Sequence, residues 1–558
     1  MENISKKKLQ LVGRKFMTKE LVMSDIYMHF IVSPFDDSYE PKIYVLDEHE
    51  NCQIISLSEL ANYKKTVVTH NFWMLVESFR KQKIPLPTNI LDLTFLSKFI
   101  IGKPKSDFNH IKPWELWALL APFYETNKEE LEEVKNIFYS KISYKENDSL
   151  KLKIQFFLRH IKSCNDMQLQ ELKDKHEEER FFRIELPVYN LMLNRQYNGI
   201  KYDETKLTEK IKQIESDYYL KLKKLNFEYF IDENELSNNR IYDLLKEKEA
   251  IDFTELKSYN NNEDYLDLLS ENSQLAKLIQ DIKRLRTDRS ALLKFGSLGE
   301  DRIYPIFDTH GSVTSRIFIQ DPLIQYIKKS SRDVIVADEG KKFIYADYRQ
   351  FEPGILANLS GDKTLIDMYN SSDIYTSLSN AVFDNGNHRK LCKKLFLAYS
   401  FGMTQESMVK FIKLNTELID VENKVARFFG QFKRIEEFKN ELYAELLTNS
   451  KISSVFGNNR YRKFEGALKA EEKRWCLSQK VQGTASLILK NVILSIINKL
   501  PEVDILIPMH DAILVQVDSG QFETSKTDIE RIFIDEYKSI CSEINPKVSF
   551  EAFSEENC

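Results

Sequence analysis

Breakers of regular structure are scarce in this 558-residue chain. It has 16 glycines and 14 prolines, about 5% together, against roughly 12% in ordinary globular proteins. That shortage excludes collagen-like and low-complexity classes, and no linker rich in Gly, Ser or Pro divides the chain. Cysteine is thin as well. Cys52, Cys164, Cys392, Cys476, Cys541 and Cys558 form no C-x-x-C pair, which argues against a zinc site or a disulfide framework and for free thiols in a reducing compartment. No run of 18 apolar residues is present, and Met1 to Lys15 is basic without the apolar core of a signal peptide. A soluble, cytoplasmic chain with no membrane partner is expected. An excess of one charge is also missing: 80 basic against 85 acidic residues leave −5, so any binding of nucleic acid must rest on local clustering of positive charge.

What is present points to several cores. Hydrophobic residues make up 42% and charged residues 30%, and at about 150 residues per unit the length predicts three to four structural units rich in long helices. Residues 20 to 100 alternate β-rich runs (Ile43 to Leu46, Thr66 to Val68) with helical stretches such as Met74 to Lys81, the pattern of an α/β unit. Residues 125 to 180 are charged and helical, with a solvated face. From Phe181 to Tyr197 apolar residues recur at helical spacing, and Asn198-Gly199 stops the helix. Residues 204 to 300 read as a lysine-rich helical arm or connector.

Two strands each deliver an aspartate. Lys341 to Ala346 is a strand that ends on Asp347. Far downstream, Val503 to Ile507 and Ile513 to Val517 flank Pro508-Met-His-Asp511-Ala512, a hairpin with Asp511 near its turn. Singly, each aspartate also fits a turn or cap. As a pair they can hold two divalent cations about 4 Å apart, the arrangement for in-line phosphoryl transfer, and oxygen ligands suit Mg²⁺.

Arg389, Lys393, Leu397 and Phe401 are four residues apart and share one helix face about 18 Å long. Two cations, an apolar residue and an aromatic form a gradient suited to a nucleotide, with phosphates at one end and the base at the other. Between 389 and 413 six basic residues meet one acidic residue, Glu406.

These residues resemble the motifs of the family A DNA polymerases, the class of bacterial DNA polymerase I. Asp347-Tyr-Arg-Gln350-Phe-Glu352 with Ala357-Asn-Leu-Ser-Gly-Asp362 resembles motif A, Arg389 through Gly402 resembles motif B, and His510-Asp511 resembles motif C. Gln482-Gly-Thr-Ala485, Phe456-Gly-Asn-Asn-Arg460, Thr314-Ser-Arg316, Asp321-Pro-Leu-Ile-Gln325 and Glu185-Leu-Pro187 followed by Asn198-Gly-Ile200 stand in the family's order between residues 185 and 511.

The resemblance implies a multidomain α/β chain: a right-hand polymerase over 181–558, preceded by an RNase H-like exonuclease-type α/β domain over 1–180. The thumb would be about 204–300, the palm about 301–365 with 485–558, and the fingers about 366–484. It implies Asp347 and Asp511 as ligands of two Mg²⁺ ions, with Mn²⁺ as a substitute. Arg389, Lys393, Leu397, Phe401 and Gln350 would meet the incoming deoxynucleotide, with Lys393 also protonating pyrophosphate. Glu352 would be the gate against a ribose 2′-hydroxyl. Arg316, Gln325, Arg460, Gln482 and His510 would contact primer-template DNA. The implied function is DNA-directed DNA synthesis in replication or repair, in the nucleoid or for a phage or plasmid, with no processivity partner indicated.

Several positions depart from the family's pattern. Leu397 replaces a stacking aromatic, Phe401 a Tyr, Pro353-Gly354 a Leu-Arg pair, Ser478 an Asn, and Ala512 the acidic residue after the motif C aspartate. In the amino-terminal domain Tyr144-x-x-x-Asp148 matches the third exonuclease motif. Leu75 stands where the second motif, His70-Asn71-Phe72, would carry its aspartate. The first motif is at best Asp25-Ile26-Tyr27, without its glutamate. With two of four carboxylates gone, a domain that does not proofread is expected. Three rivals use the same residues: a nuclease, a non-catalytic DNA-binding relative, and a template-independent nucleotidyltransferase.

Overall fold

The computed structural model describes residues 25–32, 40–47, 49–102, 115–120, 124–142, 146–237, 240–249, 266, 269–270, 273–415 and 418–555. Its first unit is built on a five-stranded sheet. The strands β1 (Ile26–Ile31), β2 (Lys42–Leu46), β3 (Cys52–Ile55), β4 (Val67–Thr69) and β5 (Ile90–Asp92) lie in the order β3-β2-β1-β4-β5. The first three form an antiparallel meander, and β4 and β5 run parallel to β1. The parallel strands read as unbroken apolar runs because both their faces are covered. A 27-residue helix, α1 (Asp148–Asp174), lays Ile154, Phe157, Leu158 and Ile161 into that core. The helix expected from Met74 starts later, at Val76, after a 3-10 turn over Phe72–Met74.

A π-helical turn, Phe181–Glu185, leads into α2 (Leu186–Asn198). The helix stops at Gly199, whose φ of 66° favours glycine, and a Cβ there would meet the Ile303 carbonyl oxygen at 2.8 Å. Two long helices follow, α3 (Glu204–Tyr229) and α4 (Gln274–Leu293). Each begins on a side-chain cap: Asp203 accepts from the Lys206 amide at 3.0 Å and Ser273 from the Ala276 amide at 2.7 Å. They pack on one another through a small core of their own, with Leu225, Ile279 and Ile282 fully buried.

The second sheet is antiparallel throughout. Strands β6 (Lys341–Arg349), β7 (Asp504–Pro508), β8 (Ala512–Asp518) and β9 (Lys547–Phe550) lie in the order β7-β8-β6-β9. The expected strand end at Asp347 is corrected: β6 continues to Arg349, because Tyr348 and Arg349 pair with Val548 and Lys547 of β9, a partner 200 residues away that local pattern cannot reveal.

Five helices share a hydrophobic core with this sheet: α5 (Phe351–Ser360), α6 (Ile374–Phe383), α7 (Arg389–Ser400), α8 (Ala470–Lys499) and α9 (Phe522–Ile540). Gly354 lets α5 sit flush against Tyr537 and Tyr369, whose side chains occupy the space a Cβ would need. The Pro353-Gly354 pair is thus explained by packing. Among the described residues α8 is the one helix long and apolar enough to cross a membrane by length and composition, yet 72% of its most apolar stretch is buried inside the protein. Ile488, Val492 and Ile496 of α8 share a core with Ile355 of α5 and Ile513 of β8. The five described cysteines are buried and free.

Candidate active site

The edges of β6 and of the β7–β8 turn bring the two aspartates together. Asp347 lies opposite Ala512 in the β6–β8 register, and the Tyr348 amide donates to the Asp511 carbonyl at 3.0 Å. Both side chains line one cavity of about 650 Å³, a volume in the range of small-molecule sites. Among the described residues neither carboxylate is held by an ion pair or hydrogen bond from another residue. Burial raises the pKa of Asp347 well above the carboxylate range; Asp511 and Glu551 add to the rise and Lys393 opposes it. Asp511 is raised by burial, against Lys393 and Arg316. Two unpaired, part-buried carboxylates that repel one another are stabilised by a cation placed between them, and an all-oxygen donor set suits a hard divalent ion. No group of three His, Cys, Asp or Glu side chains among the described residues gathers as a ready metal site, so in this state the two aspartates alone do not complete a coordination shell.

Helix α7 closes the opposite wall. Its buried face carries Leu391, Cys392, Leu395, Phe396 and Tyr399, which leaves Arg389, Lys393 and Leu397 to line the cavity. Arg389 is fixed before any ligand arrives. Its Nε and Nη2 donate to the two carboxylate oxygens of Asp373 at 3.1 and 2.7 Å, and its guanidinium stands 5.4 Å from the centre of the Tyr375 ring. Phe401 is a correction to the four-residue spacing: α7 ends at Ser400, and the Phe401 ring packs against the hydrophobic core outside the cavity lining.

Beneath the aspartates Glu352 forms an ion pair with Arg316, and both line the cavity. Burial raises the Glu352 pKa while Arg316 holds it down. Gln350 also lines the cavity, but its Oε1 accepts from the Ile374 amide at 2.9 Å and so fixes the start of α6. His510 packs edge-on against Phe318, and burial with the nearby Arg316 charge pushes its pKa down to about 4. It is neutral at pH 7.

The sequence profile of DNA polymerase family A matches residues 199–552, well over half of the chain. The chain belongs to DNA polymerase family A. Membership makes it a DNA-directed DNA polymerase, of a family that generally uses divalent metal ions. It is 23% identical to DNA polymerase I of Aquifex aeolicus (strain VF5) over 91% of both chains. It is 24% identical to DNA polymerase theta of Caenorhabditis elegans over 62% of this chain and 22% of that one. It spans 41% of the Helicobacter pylori (strain 26695) DNA polymerase I that it matches at 23% identity. A solved structure titled as the POL domain of Pol1 from M. smegmatis in complex with DNA primer-template and dNTP shares the fold. The TM-score is 0.69, over 95% of both chains at 17% identity.

Three of the polymerase's expected DNA contacts lie outside this cavity. Gln325 is held by the protein's own backbone. Its amide donates to the carbonyls of Pro508 at 2.8 Å and Ile317 at 3.1 Å, and its oxygen accepts from the Ile319 amide at 3.0 Å. It is thus engaged in holding the β7–β8 turn. Gln482 accepts from the Ser478 hydroxyl at 2.9 Å. Arg460 stacks its guanidinium 4.4 Å from the Trp475 ring centre, and burial lowers its pKa to about 10, leaving it charged at pH 7.

A buried ionic cluster positions Arg316. Lys490 of α8 donates to Glu185 at 2.5 Å, to the Ser315 hydroxyl at 2.7 Å and to the Thr309 carbonyl at 2.8 Å. Ser315 and Arg180 also donate to Glu185, at 2.7 and 2.6 Å. Paired in this way the buried charges are satisfied, and removing one partner would strand the others. Glu185 thus has a structural reason that its motif alone did not supply.

Sequence reasoning missed Asp373, Tyr375, Thr376, Ser549 and Glu551, which all line the cavity. A capping signal existed for Asp373, whose side chain accepts from the Thr376 amide at 2.8 Å, but nothing in the sequence tied it to Arg389. Ser549 lies on the last strand and Glu551 just past its end, in a stretch that carries no motif.

In the amino-terminal unit Tyr144 lies outside the described residues. Asp148 is the exposed first residue of α1. Asp25 precedes β1 rather than lying within it, and burial raises its pKa to about 6. Leu75 is fully buried. His29 and His70 stack with their ring nitrogens 3.0 Å apart, packed against Phe138 and Phe157.

Proposed function

We propose that this chain extends a primer 3′-hydroxyl on a DNA template with deoxynucleoside triphosphates, using Asp347 and Asp511 to hold two Mg²⁺ ions. The reading rests on one observation: two unpaired aspartates, one on β6 and one in the β7–β8 turn, face Arg389 and Lys393 across a single cavity. The ions would supply charge stabilisation and make the 3′-hydroxyl a better nucleophile. Arg389, braced by Asp373, would orient the triphosphate. Lys393 would give a proton to the leaving pyrophosphate as the new O–P bond forms at the α-phosphate and the α–β bridge breaks. Glu352, locked by Arg316, would close the space a ribose 2′-hydroxyl needs. Neutral His510 and Arg316 would meet the nascent pair from the minor groove, whose acceptors vary little between base pairs.

The same reading makes residues 204–300 the thumb, 301–365 with 485–558 the palm, and 366–484 the fingers. It makes the five-stranded unit an exonuclease-like domain that does not proofread. Buried Leu75 and the stacked His29–His70 pair support this, since a hydrolytic site would need carboxylates to hold its ions.

Primer extension with a labelled duplex tests the proposal. Templated incorporation of the complementary nucleotide, abolished in Asp511→Asn, is expected. Extension independent of template would favour a terminal-transferase reading, for which Leu397 in place of a stacking aromatic and Ser478 in place of an Asn are the motivating features. Extension by Asp511→Asn at the parent rate would overturn the metal assignment.

A further inference from the structure

We infer that Glu551 is a third metal-directed carboxylate of this polymerase site, supplied from just past the last strand in place of the acidic residue lost at Ala512. The inference rests on the proposed roles of Asp347 and Asp511. Ala512 is fully buried opposite Asp347 and brings only a methyl group, so the position after the motif C aspartate contributes no charge. The deficit is met from the other side of β6. Asp347 pairs with Ser549 of β9, whose hydroxyl donates to the Asp347 carbonyl at 3.3 Å. Glu551 follows two residues later, one residue past the end of β9.

Glu551 lines the same cavity as Asp347 and Asp511, and its charge acts on Asp347. In this state its carboxylate accepts from Lys329 at 3.3 Å, in a pair in which Glu551 is 59% exposed. An exposed pair of this kind contributes little to stability. Lys329 can therefore release Glu551 when a divalent cation enters. The buried Asp347 and Asp511 have no such competing partner among the described residues. Glu551 is accordingly the adjustable member of the set, able to meet the cation directly or through a bound water.

Manganese binding, followed by electron paramagnetic resonance, tests this without turnover. The protein is saturated with a dideoxy-terminated primer-template and a non-hydrolysable deoxynucleotide analogue. Glu551→Gln is expected to weaken Mn²⁺ binding about tenfold, within the usual range for groups that support a metal site. Lys329→Ala, which removes only the ion pair, should leave that affinity at or above the parent value. Parent affinity in Glu551→Gln would overturn the inference. So would an equal loss in Lys329→Ala, because Glu551 would then act only through its ion pair. Asp347→Asn separates this from the underlying reading: if it binds Mn²⁺ as tightly as the parent, the aspartate assignment fails first. If it loses binding while Glu551→Gln does not, only Glu551 is wrongly assigned.

Discussion

Asp373 grips Arg389 through both carboxylate oxygens, with Nε at 3.1 Å and Nη2 at 2.7 Å. The acid caps α6 and the base opens α7, so one bidentate pair sets the distance between two helices and aims a cation at the cavity. Asp373→Ala should raise the KM for deoxynucleotide about tenfold, the worth of one good charge-assisted contact, with a smaller change in kcat. Steady-state kinetics on a fixed primer-template reads this split. An unchanged KM would mean that Arg389 needs no brace.

Lys393 faces both aspartates, and its charge opposes the rise in their pKa values. If it stabilises the leaving pyrophosphate, Lys393→Ala should slow single-turnover incorporation by about 10²- to 10³-fold, the usual loss for one preorganised donor. The Kd for primer-template should stay within twofold or so of the parent. Equal losses in rate and DNA affinity would make Lys393 a backbone contact.

Asp347 is an energetic liability without a cation. Its folded-state pKa is raised above the ordinary 3.8, so the native state holds a proton that the unfolded chain releases, and stability falls as pH rises through the folded value. In EDTA, Asp347→Asn should therefore have a higher Tm than the parent at pH 8 and nearly the same Tm at pH 4. Its extension activity should be lost. A lower Tm at pH 8 would show that the carboxylate is structurally required.

His29 and His70 carry the opposite sign. Burial lowers the pKa of His29 from 6.5 to about 3 and that of His70 well below 6.5. Between pH 6.5 and about 3 the unfolded chain binds protons that the folded unit refuses, so stability rises with pH across that window and is fully present above it. The Tm of the parent should drop between pH 7.5 and pH 4.5, and His29→Phe/His70→Phe should flatten that slope. A slope unchanged in the double variant would place the acid sensitivity elsewhere.

A mismatched 3′ end should survive incubation with Mg²⁺ and no nucleotide, and Asp148→Ala should change nothing. Release of 3′ nucleotides that stops in Asp148→Ala would restore a proofreading role to the amino-terminal unit.

The sequence by itself determined the elements with local causes. Apolar runs gave β2, β4 and β6. Spacing by four put Arg389, Lys393 and Leu397 on one helix face, and the alternation around Asp511 gave a hairpin. It also carried the family motifs, and with them the two aspartates that face one another in the cavity. Tertiary structure decided whatever depends on partners far apart in the chain. β6 outlasts Asp347 because β9 pairs with it, and Gln325 ties the β7–β8 turn through the Pro508 carbonyl. Phe401 leaves the site because α7 ends one residue early. Glu185 meets Lys490 across 305 positions, and Glu551 reaches the cavity from just past a strand without a motif. Side-chain periodicity records which way a residue faces within its own element. Which element stands opposite is set by packing of the whole core, and no local pattern encodes it.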